Sequence, residues 1–244
     1  MMDQADRPRR GRRGRRAAGA TNALNRDKIV LAALALLDER GLAAFSVRDL
    51  AKAMGVFPAA IYWHVPSRNQ LLAAIVAHVL RDLAPPPMED WRDWLRALFR
   101  RYRAAIRAHP TIAPLIGAQL VSNTGLDFAM IEAVLRVLSG AGFEGQRLVD
   151  AFNVVTAAQV GFVTLEFAPP PPEGADEWVD GMRALVGSVP AGDYPMLAAH
   201  MPRMHNRSFT LRWQNGTVVP LDSSFEAYVE TVVAGLERLA QRGA

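Results

Sequence analysis

The stretch from Ser46 to His64 leaves this chain few architectures, because it writes two short helices joined by a glycine turn. Ser46 can accept from the backbone N–H three residues on while Asp49 reaches back, the reciprocal bonding of a capping box with an acid in place of Glu. Val47, Leu50, Ala51 and Met54 fall on one apolar face, and Gly55 can take the left-handed conformation that ends the helix. Pro58 pre-sets the first turn of a second helix. That helix turns Ile61 and Val65 inward and leaves Tyr62 and His64 outward, where they can meet a DNA backbone. The pattern is a helix-turn-helix.

The flanks complete a small domain. Ile29, Ala32, Ala33, Leu36 and Leu37 form an apolar stripe ended by Arg40-Gly41, which predicts a helix over about 26–40 packed across the pair. Pro66 stops the recognition helix, and Ser67-Arg68-Asn69-Gln70 opens another with Leu71, Leu72, Ile75, Val76, Val79 and Leu80 inward. On Ala32-Ala33-Leu36-Leu37, Gly41-Leu42, Ser46 to Ala51, Met54-Gly55-Val56 and Ile61-Tyr62-Trp63-His64, the chain from Leu24 to about Leu83 resembles the tetracycline-repressor-like (TetR) family of bacterial transcriptional regulators.

That resemblance implies an all-α fold, an N-terminal three-helix helix-turn-helix DNA-binding domain followed by a larger helical domain that binds a small molecule and dimerises. It implies operator contacts from Ser46, Val47, Arg48, Phe57, Pro58, Ala59, Tyr62, Trp63, His64 and Arg68. In the family the position two after the cap of the second helix points into the major groove, so Arg48 is the expected base reader, pairing with guanine O6 and N7. Tyr62, His64 and Arg68 are expected on phosphate, which positions without specifying. Trp63 is open between DNA contact and core packing. Phe57 departs from the family, which commonly has a small polar residue there to cap the recognition helix.

Charge is unevenly spread. Residues 1–16 hold seven arginines against Asp3 and Asp6, a net of +5 out of a total of +4, which leaves −1 for the rest. The repeat Arg9 to Arg16 has nothing apolar to bury, so residues 1–23 are expected to be a disordered Arg-rich arm that either solubilises the chain or follows DNA phosphates. No cysteine is present, and Ile29 to Leu37, the longest apolar run, is too short to span a bilayer. With no apolar segment behind the N-terminal arginines, a cytoplasmic protein with no membrane partner is the expectation.

Pro85-Pro86-Pro87 marks the boundary between a DNA-binding domain at 24–83 and a regulatory domain at 84–244. Helices are predicted at about 90–108, 125–139, 146–168 and 222–241, with a short segment near 112–120. In the first, Arg92, Arg96, Arg100, Arg103 and Arg107 read as a solvated face offset by Asp90, Asp93 and the helix dipole. Pro169 to Glu177 reads as a solvated loop. Phe209, Leu211 and Trp213 alternate with polar residues before Asn215-Gly216, which signals a small β-hairpin insertion near 207–221. Trp91, Trp94, Phe99, Tyr102, Phe128, Phe152 and Phe162 supply an apolar wall for a ligand pocket, so the expected effector is a hydrophobic or aromatic small molecule. The apolar helices 146–168 and 222–241, with Ala157, Ala158, Gly161, Ala234 and Gly235, suit the four-helix bundle of a homodimer, whose two recognition helices would meet a palindromic double-stranded DNA operator.

Catalysis finds no inventory. Among the five histidines there is no H-E-x-x-H, and the chain has neither a nucleophile elbow nor a P-loop. Gly140 to Gly145 matches G-x-G-x-x-G without a preceding strand, and two helices joined by a glycine turn explain it better. His200 and His205 lack a third metal ligand, and Pro202 is expected to break the helix between them. No cofactor and no metal is expected. The competing reading is a DNA-binding regulator or architectural protein without an effector.

Overall fold

Ser46 starts a helix as its sequence demands. In the computed structural model, which describes residues 24–121, 127–171 and 174–242, the Ser46 Oγ accepts from the Asp49 N–H at 3.1 Å. The Asp49 carboxylate returns to the Ser46 hydroxyl, which donates to it at 2.6 Å. Helix α1 (Arg26–Ala44), α2 (Val47–Met54), α3 (Pro58–His64) and α4 (Arg68–Val79) form the N-terminal unit. α1 overruns its predicted stop by one bent turn, since Gly41 at φ 76, ψ 166 breaks it without ending it. Gly55 ends α2 at φ 66, ψ 31, a conformation that costs other residues roughly 1 kcal/mol.

The C-terminal unit holds α5 (Trp91–Ala108), a 3₁₀ turn (Pro110–Ile112), α6 (Ala113–Val121), α7 (Phe128–Gly140), α8 (Gly145–Glu166), α9 (Ala175–Gly187), α10 (Pro195–Met204) and α11 (Asp222–Gln241). α8 is long and apolar enough to cross a bilayer, yet it packs against α5, α6, α7 and α11. Two apolar cores divide the work. One joins Leu37, Leu50, Ile61 and Ile75 to Tyr102, Ile106, Ile112 and Phe167, so the N-terminal and C-terminal units share it. The other, with Leu95, Phe99, Leu138, Val155 and Val233, lies wholly among α5, α7, α8 and α11. Asp38 of α1 adds a polar tie to the 3₁₀ turn, accepting from Thr111 Oγ1 at 2.7 Å and lying 2.6 Å from His109 Nδ1.

Three expectations need correction. No strand forms at 207–221 among the described residues. Asn206 takes φ 56, and its Oδ1 accepts from both Trp213 N–H and Gln214 N–H at 2.9 and 3.0 Å, which folds the alternating residues into a side-chain-centred loop. Gly216 N–H then donates to the Glu166 carbonyl at 2.7 Å, so Asn215-Gly216 docks onto the end of α8 instead of joining two strands. The segment 169–177 is loop only in its first part: Gly174 at φ 63 opens α9, whose first turn contains Asp176 and Glu177 at the favourable end of the dipole. Pro202 lies inside α10, which continues past it to Met204. The Arg-rich arm falls outside the described residues.

The arginines of α5 are bound, not merely solvated. Arg92 reaches Glu237 through Nε and Nη2, Arg96 holds Glu230 by two bonds of 2.8 Å, and Arg100 holds Glu226. Spacing of four on α5 meets spacings of seven and four on α11 in reverse order, the register of an antiparallel pair. The arginines hold the Glu226 and Glu230 carboxyls below the ordinary value of 4.5. Their stabilisation is therefore full above about pH 4.5 and lost as pH falls through the depressed folded values. A Glu226→Gln/Glu230→Gln protein should show a shallower fall of urea midpoint below that pH than wild type. Parallel pH profiles would show that the pairs contribute nothing.

Candidate nucleic-acid interface

α3 buries Ile61 and Val65, at 1% and 2% exposure, against α1 and α2 and turns its other face outward. Trp63 is 86% exposed and Tyr62 44%, so Trp63 packs in no core. Ala59 is exposed, and His64 and Pro58 are half-buried beside it. On α2, Arg48 is exposed two residues after the cap. Phe57 occupies the N-cap of α3 with no side-chain cap bond and is 84% exposed. Arg48, Phe57, Ala59, Tyr62 and Trp63 are thus all exposed, and Ala59, Tyr62 and Trp63, spaced i, i+3 and i+4, share one face of α3.

Three other sequence-named residues also make contacts within the scaffold. Val47 is 6% exposed and belongs to the first core, which removes it from the surface. Ser46 is engaged in the α2 cap. Arg68 is exposed, but its Nη2 donates to Leu42 O at 3.4 Å and its guanidinium lies 5.9 Å from the Phe45 ring, which ties the start of α4 to the end of α1.

The seven residues named for the ligand wall are scattered. Trp94, Phe99 and Phe162 are buried in the second core with Phe152 and Trp91 packed against it, while Tyr102 belongs to the first. Trp94 Nε1 donates to Pro85 O at 3.1 Å, locking α5 to the interdomain link. Phe128 is 75% exposed at the mouth of a cavity of about 490 Å³ where α1, α4 and the start of α7 meet. Val30, Ala74, Ala77 and Met130 line it with Arg26 and Arg81. A second space, a groove of about 510 Å³, runs between α8 and α11 beside Phe162, Leu165, Phe209 and Tyr228. Sequence periodicity could not reveal either space, because both arise where faces of separate helices diverge.

An exposed recognition helix braced by two buried ones, on a helical body that shares its core with them, defines a helix-turn-helix DNA-binding regulator. Residues 29–75 match the family described as Bacterial regulatory proteins, tetR family, and residues 84–240 match Tetracyclin repressor-like, C-terminal domain. The chain belongs to the TetR family of transcriptional regulators. Tetracycline repressor protein class E of Escherichia coli is 33% identical over 150 residues, 59% of this chain and 70% of that protein. The class C repressor of Escherichia coli is 27% identical over 225 residues, 89% of this chain and 93% of that protein. Apo ActR from Streptomyces coelicolor superposes with a TM-score of 0.67 at 25% identity, covering 92% of this chain and all of its own. A chain of this family is a DNA-binding transcription factor and not an enzyme.

Proposed function

We propose that this protein is a homodimeric repressor that binds a palindromic operator and releases it when a hydrophobic or aromatic small molecule binds the regulatory domain. The exposed surface of Arg48, Ala59, Tyr62 and Trp63 carries the reading, because large aromatic side chains this far from any core suit contact with another macromolecule. Arg48 reads a base and Tyr62 and His64 hold phosphate, with the Arg-rich arm on the flanking backbone. The work is done on DNA, in the cytoplasm.

Dimerisation is supported by surfaces that one protomer leaves uncovered. Val149, Ala157 and Leu165 of α8 and Ala227, Thr231 and Ala234 of α11 are exposed, and small residues let helices of two protomers approach closely. α9 buries no residue within its own protomer. Effector control is supported by relatives named tetracycline repressor proteins and by structures of ActR with (S)-DNPA and with actinorhodin. The shared first core and the Asp38 tie give ligand-driven shifts of α5 and α6 a route to α1 and α4.

Linkage fixes the test. An effector that displaces the recognition helices must bind free protein more tightly than operator-bound protein, and operator and effector weaken each other by the same factor, typically about 5–150-fold. Compounds that raise the melting temperature are titrated into the protein with and without operator DNA. Unequal affinities are expected; equal affinities would leave a DNA-binding protein without a switch.

A further inference from the structure

The turn between α2 and α3 carries an aromatic side chain that the fold does not use. Phe57 is 84% exposed where α3 begins. The other three helices of the N-terminal unit start on a side-chain cap: Asn25 accepts from Lys28 N–H, Ser46 from Asp49 N–H and Ser67 from Gln70 N–H. Phe57 makes no such bond, and its carbonyl accepts from Ala60 N–H at 2.9 Å. Apolar packing at this corner comes from its neighbours. Val56 packs against the first core and Ile61 lies within it, the two positions that brace a helix entrance. An exposed phenyl where a small polar residue would stabilise the helix is a local loss twice over, and such losses collect where function asks for them.

The composition of the segment decides what it can touch. Phe57-Pro58-Ala59-Ala60 contains no side-chain donor or acceptor. A recognition helix presents its N-terminal residues to base edges in the major groove. Most groups displayed there, such as guanine O6 and N7, adenine N6 and cytosine N4, call for a hydrogen-bonding partner. The thymine C5-methyl is the one that an apolar side chain matches. An apolar segment also discriminates by exclusion, since laid on a polar base edge it would strip water from donors and acceptors and return no bond. The hydroxyl of Tyr62, the indole of Trp63 and the imidazole of His64 come only later in α3.

We propose that the start of the recognition helix reads its operator through thymine C5-methyl groups, and that the Phe57 ring covers one of them in each half-site. The inference rests on the reading of the chain as a sequence-specific DNA-binding regulator and names the bases that its recognition helix selects. The same contact admits 5-methylcytosine, which displays an equivalent methyl group in the major groove.

The test changes the DNA, so its first arm depends on no variant folding. In the operator that the full chain selects from a randomised library, each thymine is replaced in turn by deoxyuridine, which removes the methyl and keeps every hydrogen-bonding group. Wild type should lose about fourfold in affinity at a contacted thymine changed in one half-site, and about fifteenfold with both changed, the ratio set by one methyl-sized group each. At one such position Phe57→Ala should bind the thymine and deoxyuridine duplexes equally, while Phe57→Leu, which keeps an apolar body, retains the preference. There wild type should also prefer a 5-methylcytosine pair to a cytosine pair. Indifference of wild type to every deoxyuridine would overturn methyl readout and turn the exposed ring over to a protein partner, leaving a sequence-specific regulator. Methyl preferences that all survive in Phe57→Ala would overturn the assignment to Phe57. A Phe57→Ala protein that melts well below wild type would overturn it too, by showing that the ring packs in the fold. Selection of no operator at all would overturn both this inference and the regulatory reading beneath it.

Discussion

Glu166→Ala should destabilise the protein by about 3–5 kcal/mol, the loss typical of removing one partner from a buried ion pair. Glu166 is fully buried at the last turn of α8 and closes three structural links at once. It holds Arg103 of α5 by two bonds, accepts the Leu221 N–H that leads into α11, and receives the Gly216 turn through its carbonyl. Gly216 must be glycine for that fit, since a Cβ there would overlap the Glu166 side chain. Without the carboxylate, Arg103 keeps only the exposed Asp222 as counter-ion while its guanidinium stays 4.5 Å above the Phe225 ring. Urea denaturation reads the loss directly. Glu166→Gln keeps the volume and removes the charge, so it should be destabilised nearly as far; a Glu166→Gln protein as stable as wild type would show that shape alone matters there.

Arg48→Ala should cost about 1–3 kcal/mol of operator affinity and relax preference at one base pair in each half-site. The side chain is exposed on α2 and its neighbours Val47 and Leu50 are buried, so truncation removes the proposed DNA contact and leaves the fold intact. The comparison is between the selected operator and a scrambled duplex at fixed salt. A loss on operator alone assigns Arg48 to a base. Equal weakening on both duplexes would reassign it to phosphate.

The elements were largely legible where local chemistry decides. Ser46, Gly55, Pro58 and Ser67 mark the boundaries of α2, α3 and α4 by caps and turns that involve neighbours only, and the structure keeps them. The stripes of α5, α8 and α11 are equally local. Failures occur where a long-range partner overrides a local pattern. Alternation at Phe209, Leu211 and Trp213 reads as strand, but a strand needs an edge to pair with, and Asn206 and Glu166 supply side-chain and carbonyl partners instead. The α5 arginines read as solvated because Glu226, Glu230 and Glu237 lie more than a hundred residues away. α9 went unread although Trp178, Met182 and Leu185 recur at helical spacing, since Pro169 to Pro172 and the acids after them suggested open loop. On the DNA-facing surface, spacing alone separates the exposed Arg48 and Tyr62 from the buried Ile61. It also puts Val47 on the apolar face of α2, where the structure buries it, but it could not say that Trp63 stays out of the core.

Selection of bound duplexes from a randomised DNA library tests the central claim most directly. The protein should enrich an inverted repeat whose half-site centres lie about one helical turn, roughly 34–36 Å, or a multiple of it apart. Arg48→Ala should enrich the same repeat with one position per half-site degenerate. Recovery of unenriched library by wild type, with binding set by salt alone, would contradict the account of a sequence-reading dimer.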